Sequence, residues 1–441
     1  MSEILSALSF ALDLTEGQPM GHSVRTCLLG MRLAEKIQLS AQERSELFYA
    51  LLLKDSGCSS NAARMAQIFG ADDRAAKRDF KTTDWTRLLD GFNYVRKTAQ
   101  PGSTVFQRFS KVVELSLKGE KQLAELTQVR CDRGAQIARK MGFSEPIAEA
   151  IRSLDEHFDG QGYPDGLRGR DIPLFARIAN LCQTLEVFAT LEGPAAACRM
   201  LRQRRGKWFD PELVDAALDF EHDETLWQQL EEEIARETVL KLEPALEARH
   251  ADDAMLDNVC EAFAEVIDAK SPYTHRHSVG VAQAAVGMAT YLGLPAETVT
   301  LVRRAALLHD IGKLGVSNTI LDKPGKLTAQ EQEIVRLHPY YTQRILEKIS
   351  SFQDLAFVAS AHHERMDGKG YYRNLRGEQL PVPARILAVA DVYDALSAKR
   401  PYRDTLPTET VFETMARDVP SAFCPECFEG LQQSVGANCV L

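Results

Sequence analysis

The sequence predicts an all-α protein in which one helical fold occurs twice. Apolar residues recur at three- and four-residue steps in several segments, which is the spacing of one face of a helix. These segments are residues 23–37, 41–53, 281–292 and 331–349. No segment has the alternating apolar and polar pattern of a half-buried strand. The chain has 441 residues, which is long enough for two domains of ordinary size.

Three blocks in the first half of the chain recur in the second half, in the same order. The block around His22 recurs around His277, and the block that starts at Lys54 recurs at His309. The separation is 32 residues in both halves. The third pair of blocks comprises residues 154–164 and 362–372. Agreement of three blocks in order indicates an internal duplication of the fold.

The duplication divides the chain into three predicted regions. These are a helical domain over residues 1–222, a long helical connector over residues 223–254 and a second helical domain over residues 255–441. The connector is predicted from a charge-rich helical pattern that starts near Thr225 and is interrupted at Pro244. The alternative is a single domain in which this stretch is one more helix that faces the core.

Composition excludes several functional classes. The net charge of −10 argues against binding to polymeric nucleic acid and to an anionic membrane surface. The sequence has no apolar run long enough to span a bilayer, and its first residues lack the basic stretch of a secretory signal. The nine cysteines have no spacing typical of a disulfide framework. We therefore expect reduced thiols and a cytoplasmic location.

The second copy of the repeat contains a set of histidines and aspartates that could bind metal ions. The set comprises His277, His309, Asp310, His338, His362, His363 and Asp391. One histidine on a helix is usually a surface or core residue, so the prediction rests on the whole set. Imidazole and carboxylate ligands suit iron, manganese or another borderline divalent metal.

We expect two metal ions bridged by Asp310. The first ion would be bound by Asp310 together with His277, His309 and Asp391. The second would be bound by Asp310 together with His338 and His362, with His363 either a further direct ligand or a neighbour of those ligands. Two ions about 3.5–4 Å apart can activate water and neutralise a phosphoryl group. Lys313 lies one helical turn beyond Asp310 and could grip the scissile phosphate. Asp310 and Lys313 are therefore the predicted catalytic residues.

This set of motifs resembles the HD-GYP family of bacterial cyclic-dinucleotide phosphodiesterases, a branch of the HD superfamily. The resemblance covers about residues 255–430 and includes His309-Asp310-Ile311-Gly312-Lys313, His338-Pro339, His362-His363-Glu364, Asp367-Gly368-Lys369-Gly370-Tyr371 and Asp391-Val392-Tyr393-Asp394-Ala395. It implies HD-type all-α domains, a centre of two or three metal ions, and hydrolysis of cyclic di-GMP. Some members of the family prefer 3′3′-cyclic GMP-AMP.

The chain departs from the family pattern at three positions. Tyr372 stands where the family has the proline of its Gly-Tyr-Pro motif, and Gly280 stands where it usually has an arginine. Members with three metal ions have a glutamate four residues before the first ligand histidine. That position is Tyr273 here, so we expect two ions.

The resemblance implies a cyclic dinucleotide substrate, either cyclic di-GMP or cyclic GMP-AMP, which is opened to the linear dinucleotide. Candidate substrate-binding residues near the motifs are Lys313, Tyr340, Tyr341, Arg344 and Tyr371. A diguanylate-cyclase-type protein partner and a homodimer are further expectations. The alternatives are a non-catalytic regulator that binds the dinucleotide, and an HD-superfamily hydrolase of another nucleotide.

The first copy resembles the same family but lacks most of the ligand set. Lys54 stands at the position of His309 and Cys58 at that of Lys313. Leu154-Asp155 replaces the His-His pair, Gln183 replaces Asp391, and the region that matches His338 is near Arg130-Cys131. We expect a degenerate, non-catalytic domain used for packing, dimerisation or regulation.

A Cys-x-x-Cys pair, Cys424 and Cys427, is typical of a zinc or redox site. The repeat favours another interpretation. Phe209-Asp210-Pro211 in the first copy corresponds to Phe423-Cys424-Pro425 in the second, and proline is common in the first turn of a helix. We therefore expect an ordinary helix start at this pair.

Overall fold

The computed structural model describes residues 1–69, 72–82, 105–243, 252–274, 276–397 and 405–438. Within these ranges the regular structure is helical, and the one pairing of extended segments is a bridge between Arg205 and Phe209. The all-α prediction is confirmed. No helix in these ranges combines the length and the apolar character needed to cross a membrane.

The chain forms two compact units, Met1–Met255 and Leu256–Leu441, which we call the N-terminal and C-terminal units. The helices of the N-terminal unit are α1 Ser2–Thr15, α2 His22–Lys36, α3 Ala41–Leu53, α4 Ala62–Phe69, α5 Asp73–Thr82, α6 Val105–Lys140, α7 Glu145–Arg152, α8 Leu174–Glu192, α9 Pro194–Arg204, α10 Pro211–Ala217, α11 Glu224–Gln228 and α12 Glu232–Lys241. Helix α13, Asp253–Asp268, begins just before the boundary. The C-terminal unit continues with α14 His277–Tyr291, α15 Ala296–Leu308, α16 Asn318–Leu321, α17 Ala329–Arg336, α18 His338–Leu346, α19 Gln353–Ser360, α20 Val382–Ser397, α21 Thr408–Ala416 and α22 Pro425–Asn438.

Each unit is built around the same three helices. In the N-terminal unit α2 packs on α3 and α8, and in the C-terminal unit α14 packs on α15 and α20. Their facing apolar side chains are fully buried, as for Leu29 and Leu181 in the first unit and Val281 and Leu387 in the second. The helical periodicity of the sequence therefore corresponds to the faces that form the two cores.

The first turns of α2 and α14 are held in the same way. The Asp13 carboxylate accepts hydrogen bonds from the Ser23 backbone N–H (3.0 Å) and hydroxyl (2.7 Å). Asp268 accepts the corresponding bonds from Ser278 at 3.2 and 2.7 Å. These bonds satisfy N–H groups that the start of a helix leaves without intrahelical partners. They fix the start of each helix, where His22 and His277 lie.

The described residues of the predicted connector, as far as Glu243, form two short helices, α11 and α12. Helix α12 packs on α1 and α2 of the N-terminal unit. Its Ala235 and Val239 side chains are buried, and Glu243 beyond it accepts hydrogen bonds from the Ser2 backbone N–H (3.0 Å) and the Tyr49 hydroxyl (3.1 Å). The stretch thus packs on the first core as far as Glu243. Pro244 lies outside the described residues.

The helical pattern over residues 331–349 is divided between α17 and α18. Pro339 has no backbone N–H to donate to the carbonyl of Val335, so the helix cannot continue through this point. In the N-terminal unit the corresponding stretch is part of α6, which runs without a break for 36 residues. Cys131 stands there at the position of Pro339.

Two glycine contacts support this correspondence. A Cβ atom on Gly312 would lie 2.0 Å from the carbonyl oxygen of His338, and one on Gly57 would lie 1.9 Å from that of Arg130. Each glycine therefore allows the same close approach of two backbone segments. Arg130 accordingly takes the position of His338.

A lysine ammonium group lies where the sequence predicts the first metal ion of an intact copy. Lys54 contacts the His22 Nε2 atom at 3.0 Å and the Asp55 carboxylate, and all three side chains are buried. On its other side, the His22 ring pairs through Nδ1 with the buried Glu186 carboxylate, which also binds Arg25. A fixed positive charge thus balances the buried Asp55.

A second group in this unit, Glu16, Asp55 and Cys58, has side-chain types that could hold a metal. Positive side chains already face it. Lys77 Nζ lies 3.4 Å from the Glu16 carboxylate, and Arg130 Nη1 lies 4.0 Å from the Cys58 sulfur. Burial raises the pKa of Cys58 well above its usual range, so this side chain is a neutral thiol. We therefore expect no resident metal ion at this group.

Replacing Lys54 by methionine should destabilise the N-terminal unit by about 3–5 kcal/mol, because the Asp55 charge would remain buried without its partner. Chemical unfolding followed by circular dichroism measures this loss. Lys36→Met is the control, since the Lys36–Asp219 pair is exposed and should contribute less than about 1 kcal/mol. The metal content of the full chain should be unchanged in both variants. Unfolding of Lys54→Met at the wild-type denaturant concentration would contradict the assigned role.

Candidate metal centre

The structure brings all seven predicted ligands of the C-terminal unit together. His277 is the first residue of α14, His309 and Asp310 follow α15, and Asp391 lies within α20. His338 starts α18, and His362 and His363 follow α19. Three groups drawn from these residues have ligand atoms within 4.8 Å of one another: His277, His309 and Asp391; His309, Asp310 and His362; and His338, His362 and His363.

Three of the histidines lie just beyond the C-terminal end of a helix, and each ring binds a carbonyl of that helix. The Nδ1 atom of His309 is 2.7 Å from the Ala306 oxygen, and that of His362 is 2.7 Å from the Ala359 oxygen. The last four carbonyls of a helix have no intrahelical donor, so the ring satisfies one of them. A carbonyl can only accept, and Nδ1 must therefore carry the proton.

His338 obtains its carbonyl through the helix break at Pro339. Its Nδ1 atom lies 2.6 Å from the oxygen of Val335, the carbonyl that Pro339 leaves free. The His-Pro sequence therefore does two things at once. It ends α17 and supplies the acceptor that orients the His338 ring.

These ring orientations point the Nε2 lone pairs inward. The Nε2 atoms of His338 and His362 are 3.0 Å apart, although neither has a proton to donate to the other. The buried Nε2 atom of His309 has no hydrogen-bond partner among the described residues, and neither has Asp310 Oδ1. Lone pairs packed in this way repel one another unless a cation lies among them. The donor set therefore fits a metal centre.

Asp310 lies between two groups of imidazoles, one at each carboxylate oxygen. Oδ2 faces the Nε2 atoms of His277 and His309 at 3.7 and 3.4 Å. Oδ1 faces those of His338 and His362 at 3.3 and 3.6 Å. A carboxylate with this placement can bridge two metal ions.

Asp391 lies on the His277 side of the cluster. Its Oδ1 atom is 3.2 Å from His277 Nε2 and 3.7 Å from His309 Nε2. Its other oxygen is 3.8 Å from His363 Nδ1. Asp391 thus contacts the residues expected around the first ion, and His363 reaches both this carboxylate and the ring of His338.

The buried charges favour ionised carboxylates and, around the second ion, neutral imidazoles. Burial alone would raise the pKa of Asp310, but His309, Lys313 and other nearby histidines hold it well below its usual range. Burial lowers the pKa of His362 to about 4, with a further contribution from His309. Burial also lowers the pKa of His338 well below its usual value. Neutral imidazole and ionised carboxylate are the forms that bind metal.

His277 differs from the other ligand histidines. Burial would lower its pKa, but hydrogen bonds to Asp391 and Asp394 raise it to about 9. A protonated His277 is therefore a positive charge beside Asp391 and Asp310. The pocket around these carboxylates favours a positive charge. A bound metal ion would supply that charge in place of the His277 proton.

Lys313 reaches the cluster from its edge. Its ammonium group pairs with Asp310 Oδ2, and its side chain is 22% exposed, whereas that of Asp310 is 1% exposed. Lys313 is thus the positive group that solvent can reach beside the buried ligands. This position agrees with the predicted contact to a phosphate.

Tyr371 lies against the ligand cluster. Its ring stacks on that of His363 with 4.7 Å between centroids, and the Arg336 guanidinium lies 5.3 Å from its centroid. Burial raises the pKa of the Tyr371 hydroxyl far above its usual range, so the group stays protonated and can donate a hydrogen bond. Arg336 was not predicted, although it lies only two residues before His338.

The other substrate candidates lie farther out. Tyr340 contacts the rings of Tyr341 and Tyr372 at 5.5 and 5.8 Å between centroids. The Tyr372 hydroxyl donates a hydrogen bond to Gln343 Oε1 at 2.7 Å. Arg344 is largely exposed and pairs with Glu347 at 2.9 Å. Its guanidinium is therefore directed at a neighbour on the same helix surface.

Asp394 was quoted in a motif but was not predicted as a site residue. Its Oδ2 atom accepts a hydrogen bond from His277 Nδ1 at 2.6 Å, which turns Nε2 of that ring toward Asp310 and Asp391. A Cβ atom at position 280 would lie 2.0 Å from Asp394 Oδ1, so Gly280 leaves room for this carboxylate. In the N-terminal unit Arg25 and Glu186 take these two positions and form an ion pair. The spacing of the repeat is the signal that could have identified Asp394.

Comparison with known proteins gives consistent matches. A family model described as HD domain matches residues 110–213 and 261–425. The chain is 42% identical to the 3′3′-cGAMP-specific phosphodiesterase 3 of Vibrio cholerae over 435 residues, which is 99% of this chain and 94% of that protein. It is 39% identical to a cyclic di-GMP phosphodiesterase of Thermotoga maritima over 171 residues, which is 37% of this chain and 46% of that protein.

A solved structure of a cyclic GMP-AMP-specific phosphodiesterase from V. cholerae also matches, with a TM-score of 0.68 and 39% identity. The match covers 99% of this chain and 97% of the other. The family model covers more than half of the chain, in both units, and the similarity to one relative extends over nearly all of it. The chain belongs to the HD-GYP family of HD-domain proteins.

Proposed function

We propose that this chain is a metal-dependent phosphodiesterase that opens a cyclic dinucleotide to its linear form. The observation that carries the proposal is the position of Asp310, with one oxygen toward His277 and His309 and the other toward His338 and His362. Such a pair of sites suits phosphodiester hydrolysis, and the relatives named above act on cyclic dinucleotides.

We further propose 3′3′-cyclic GMP-AMP as the preferred substrate. The relative that aligns over both units is named for this dinucleotide, whereas the cyclic di-GMP enzyme from T. maritima aligns over 37% of the chain. The second support is Tyr372, which replaces the family proline and joins Tyr340 and Gln343 in a polar and aromatic group. Cyclic di-GMP is the second candidate.

The side chains divide the work as follows. His277, His309 and Asp391 would hold one ion, His338, His362 and His363 the other, and Asp310 would bridge them. Iron or manganese suits this imidazole and carboxylate set. When bound, the two ions supply an activated water molecule and neutralise charge on the phosphoryl group.

Lys313 and Tyr371 would act on the substrate directly. The Lys313 ammonium group is positioned to leave Asp310 and pair with a phosphate oxygen. The Tyr371 hydroxyl, which stays protonated, can donate a hydrogen bond to the phosphate or the leaving oxygen. A diguanylate-cyclase-type partner and a homodimer remain predictions from the family resemblance.

Among the predictions from this proposal, the first concerns turnover. Full-length protein loaded with manganese or iron should cleave cyclic GMP-AMP with a higher kcat/KM than cyclic di-GMP or cyclic di-AMP, as measured by chromatography of the products. Asp310→Ala should lower kcat/KM by at least about 10³-fold, because it removes the ligand shared by both ions.

Asp354→Asn is the matched control for Asp310→Ala, since Asp354 is exposed on α19. Its turnover should equal that of the wild type. Tight binding of a cyclic dinucleotide without cleavage would support the non-catalytic regulator instead. Cleavage of nucleoside phosphates but of none of the three dinucleotides would support another HD hydrolase.

The second prediction concerns Asp394. Asp394→Asn should weaken metal binding at the His277 site by about 10- to 100-fold, because the His277 ring loses its charged acceptor. Competition with a chelator, read by metal analysis, measures the change. Glu186→Gln alters the corresponding carboxylate of the N-terminal unit and should leave metal affinity unchanged. Equal effects of the two variants would exclude a positioning role for Asp394.

The third prediction concerns substrate preference. Tyr372→Pro restores the family motif and removes the hydrogen bond to Gln343, which is worth about 1 kcal/mol. The ratio of kcat/KM for cyclic GMP-AMP to that for cyclic di-GMP should fall roughly fivefold, with metal content unchanged. Tyr291→Phe, at an exposed tyrosine of α14, is the control. An unchanged ratio in Tyr372→Pro would remove Tyr372 from the specificity argument.

A further inference from the structure

Cys424 occupies a position that holds a carboxylate in the other unit. In the N-terminal unit, the Phe158 and Asp159 N–H groups bind the carbonyls of Trp208 and Lys207. In the C-terminal unit, Met366 and Asp367 bind the carbonyls of Ala422 and Ser421 in the same way. The common pairing aligns Trp208 with Ala422. Two residues further along each chain segment, Asp210 therefore corresponds to Cys424.

Asp210 is both a helix cap and an ion-pair partner. It directly precedes α10, accepts a hydrogen bond from the Glu212 N–H at 2.9 Å, and pairs with Arg177. Cys424 likewise directly precedes α22, and its carbonyl accepts the first helical bond, from Phe428 at 3.0 Å. The expected helix start at this pair is therefore confirmed.

The arginine is present in both units. Arg177 Nε donates to the Ile172 carbonyl at 3.0 Å, and Arg385 Nε donates to the Leu380 carbonyl at 2.7 Å. Arg385 is also close enough to Cys424 to lower the pKa of its thiol. The Cys424 side chain thus lies in a site built for an anion, formed by a helix start and an arginine.

Cys427 and Glu426 complete the group. Cys427 lies in the first turn of α22, three residues after Cys424, and residues three apart at a helix start lie side by side. The Cys424 thiol donates a hydrogen bond to Glu426 Oε2 at 2.8 Å. Cys427 contributes most to lowering the pKa of Cys424 to about 6, and Arg385 also lowers it, whereas burial and Glu426 act in the opposite direction. Cys427 remains a protonated thiol.

We propose that Cys424 and Cys427 form a redox-active dithiol that a small hydroperoxide converts reversibly to a disulfide. The Cys424 thiol loses its proton to water, the thiolate attacks the terminal oxygen of the hydroperoxide, the O–O bond breaks, and the released alkoxide takes a proton from water. Cys427 then attacks the resulting sulfenic acid, and its proton leaves with the hydroxyl group as water. The dithiol loses two electrons, and the hydroperoxide becomes an alcohol and water. Cys424 is only 4% exposed, so a small oxidant is required.

The test uses the full-length manganese-loaded protein and hydrogen peroxide. Peptide mass analysis without reductant should find the segment that contains Cys424 and Cys427 lighter by about 2 Da, and dithiothreitol should reverse the change. Cys198 is the internal comparison, since burial raises its pKa to about 11. Cys424 should react at least about tenfold faster than Cys198.

Two variants separate the roles. Cys427→Ser should stop at the Cys424 sulfenic acid, which dimedone labels. Cys424→Asp installs the residue of the other unit, and should fold normally and leave Cys427 a free thiol after peroxide. Recovery of both wild-type thiols at a dose that fully oxidises free glutathione would overturn the proposal. A disulfide between either residue and Cys439 would also overturn it, and Cys439→Ser should not affect the expected disulfide.

Discussion

The metal centre depends on one recurring interaction, the hydrogen bond from a histidine Nδ1–H to a carbonyl at the C-terminal end of a helix. His309, His338 and His362 all make it, at the ends of three different helices. The bond satisfies a carbonyl that the helix cannot, fixes the protonated nitrogen, and leaves Nε2 to face inward. Three helix ends also direct their partial negative charge at the same place, which favours a cation there. The carboxylates of Asp310 and Asp391 add to the negative electrostatic potential that these helix ends produce.

The two units show what such a centre requires, because they share a framework and differ in ligands. Lys54 follows the end of α3 as His309 follows the end of α15, and its ammonium group contacts Asp55 and His22. In the N-terminal unit the Lys54 ammonium group thus lies where a metal ion could bind in the other unit. At the position of His338 no helix ends, since α6 continues through Arg130. Without a free carbonyl at this point, a histidine there would lack the acceptor that orients His338.

The all-α fold and the seven residues that converge could be predicted from the sequence. The chain contains two copies of one fold, so the motifs of one copy could be compared with those of the other. The spacing between His277 and His309 could be checked against that between His22 and Lys54. The orientation of each ring could not be predicted, since it depends on which carbonyl each helix leaves free. Pro339 could have predicted that residues 331–349 form two helices. The break was missed because the apolar spacing continues across Pro339. Asp394 was missed although the repeat sets it against Glu186, and the fold shows its contact with His277 at the start of α14.

Conservation of charge explains both exchanges between the units. Lys54 supplies a positive charge where the other unit could bind a metal ion, so Asp55 remains compensated in a buried site where an unpaired carboxylate would be costly. At the second exchange the arginine is constant and the anion changes, from the Asp210 carboxylate to the Cys424 sulfur. Cysteine is an uncharged replacement that can still supply an anion beside Arg385, by losing its thiol proton. The positive end of the helix and the Arg385 guanidinium stabilise a negative charge at this position. They therefore favour the Cys424 thiolate, which is the reactive form, just as the corresponding helix end and Arg177 favour the capping carboxylate of Asp210 in the other unit.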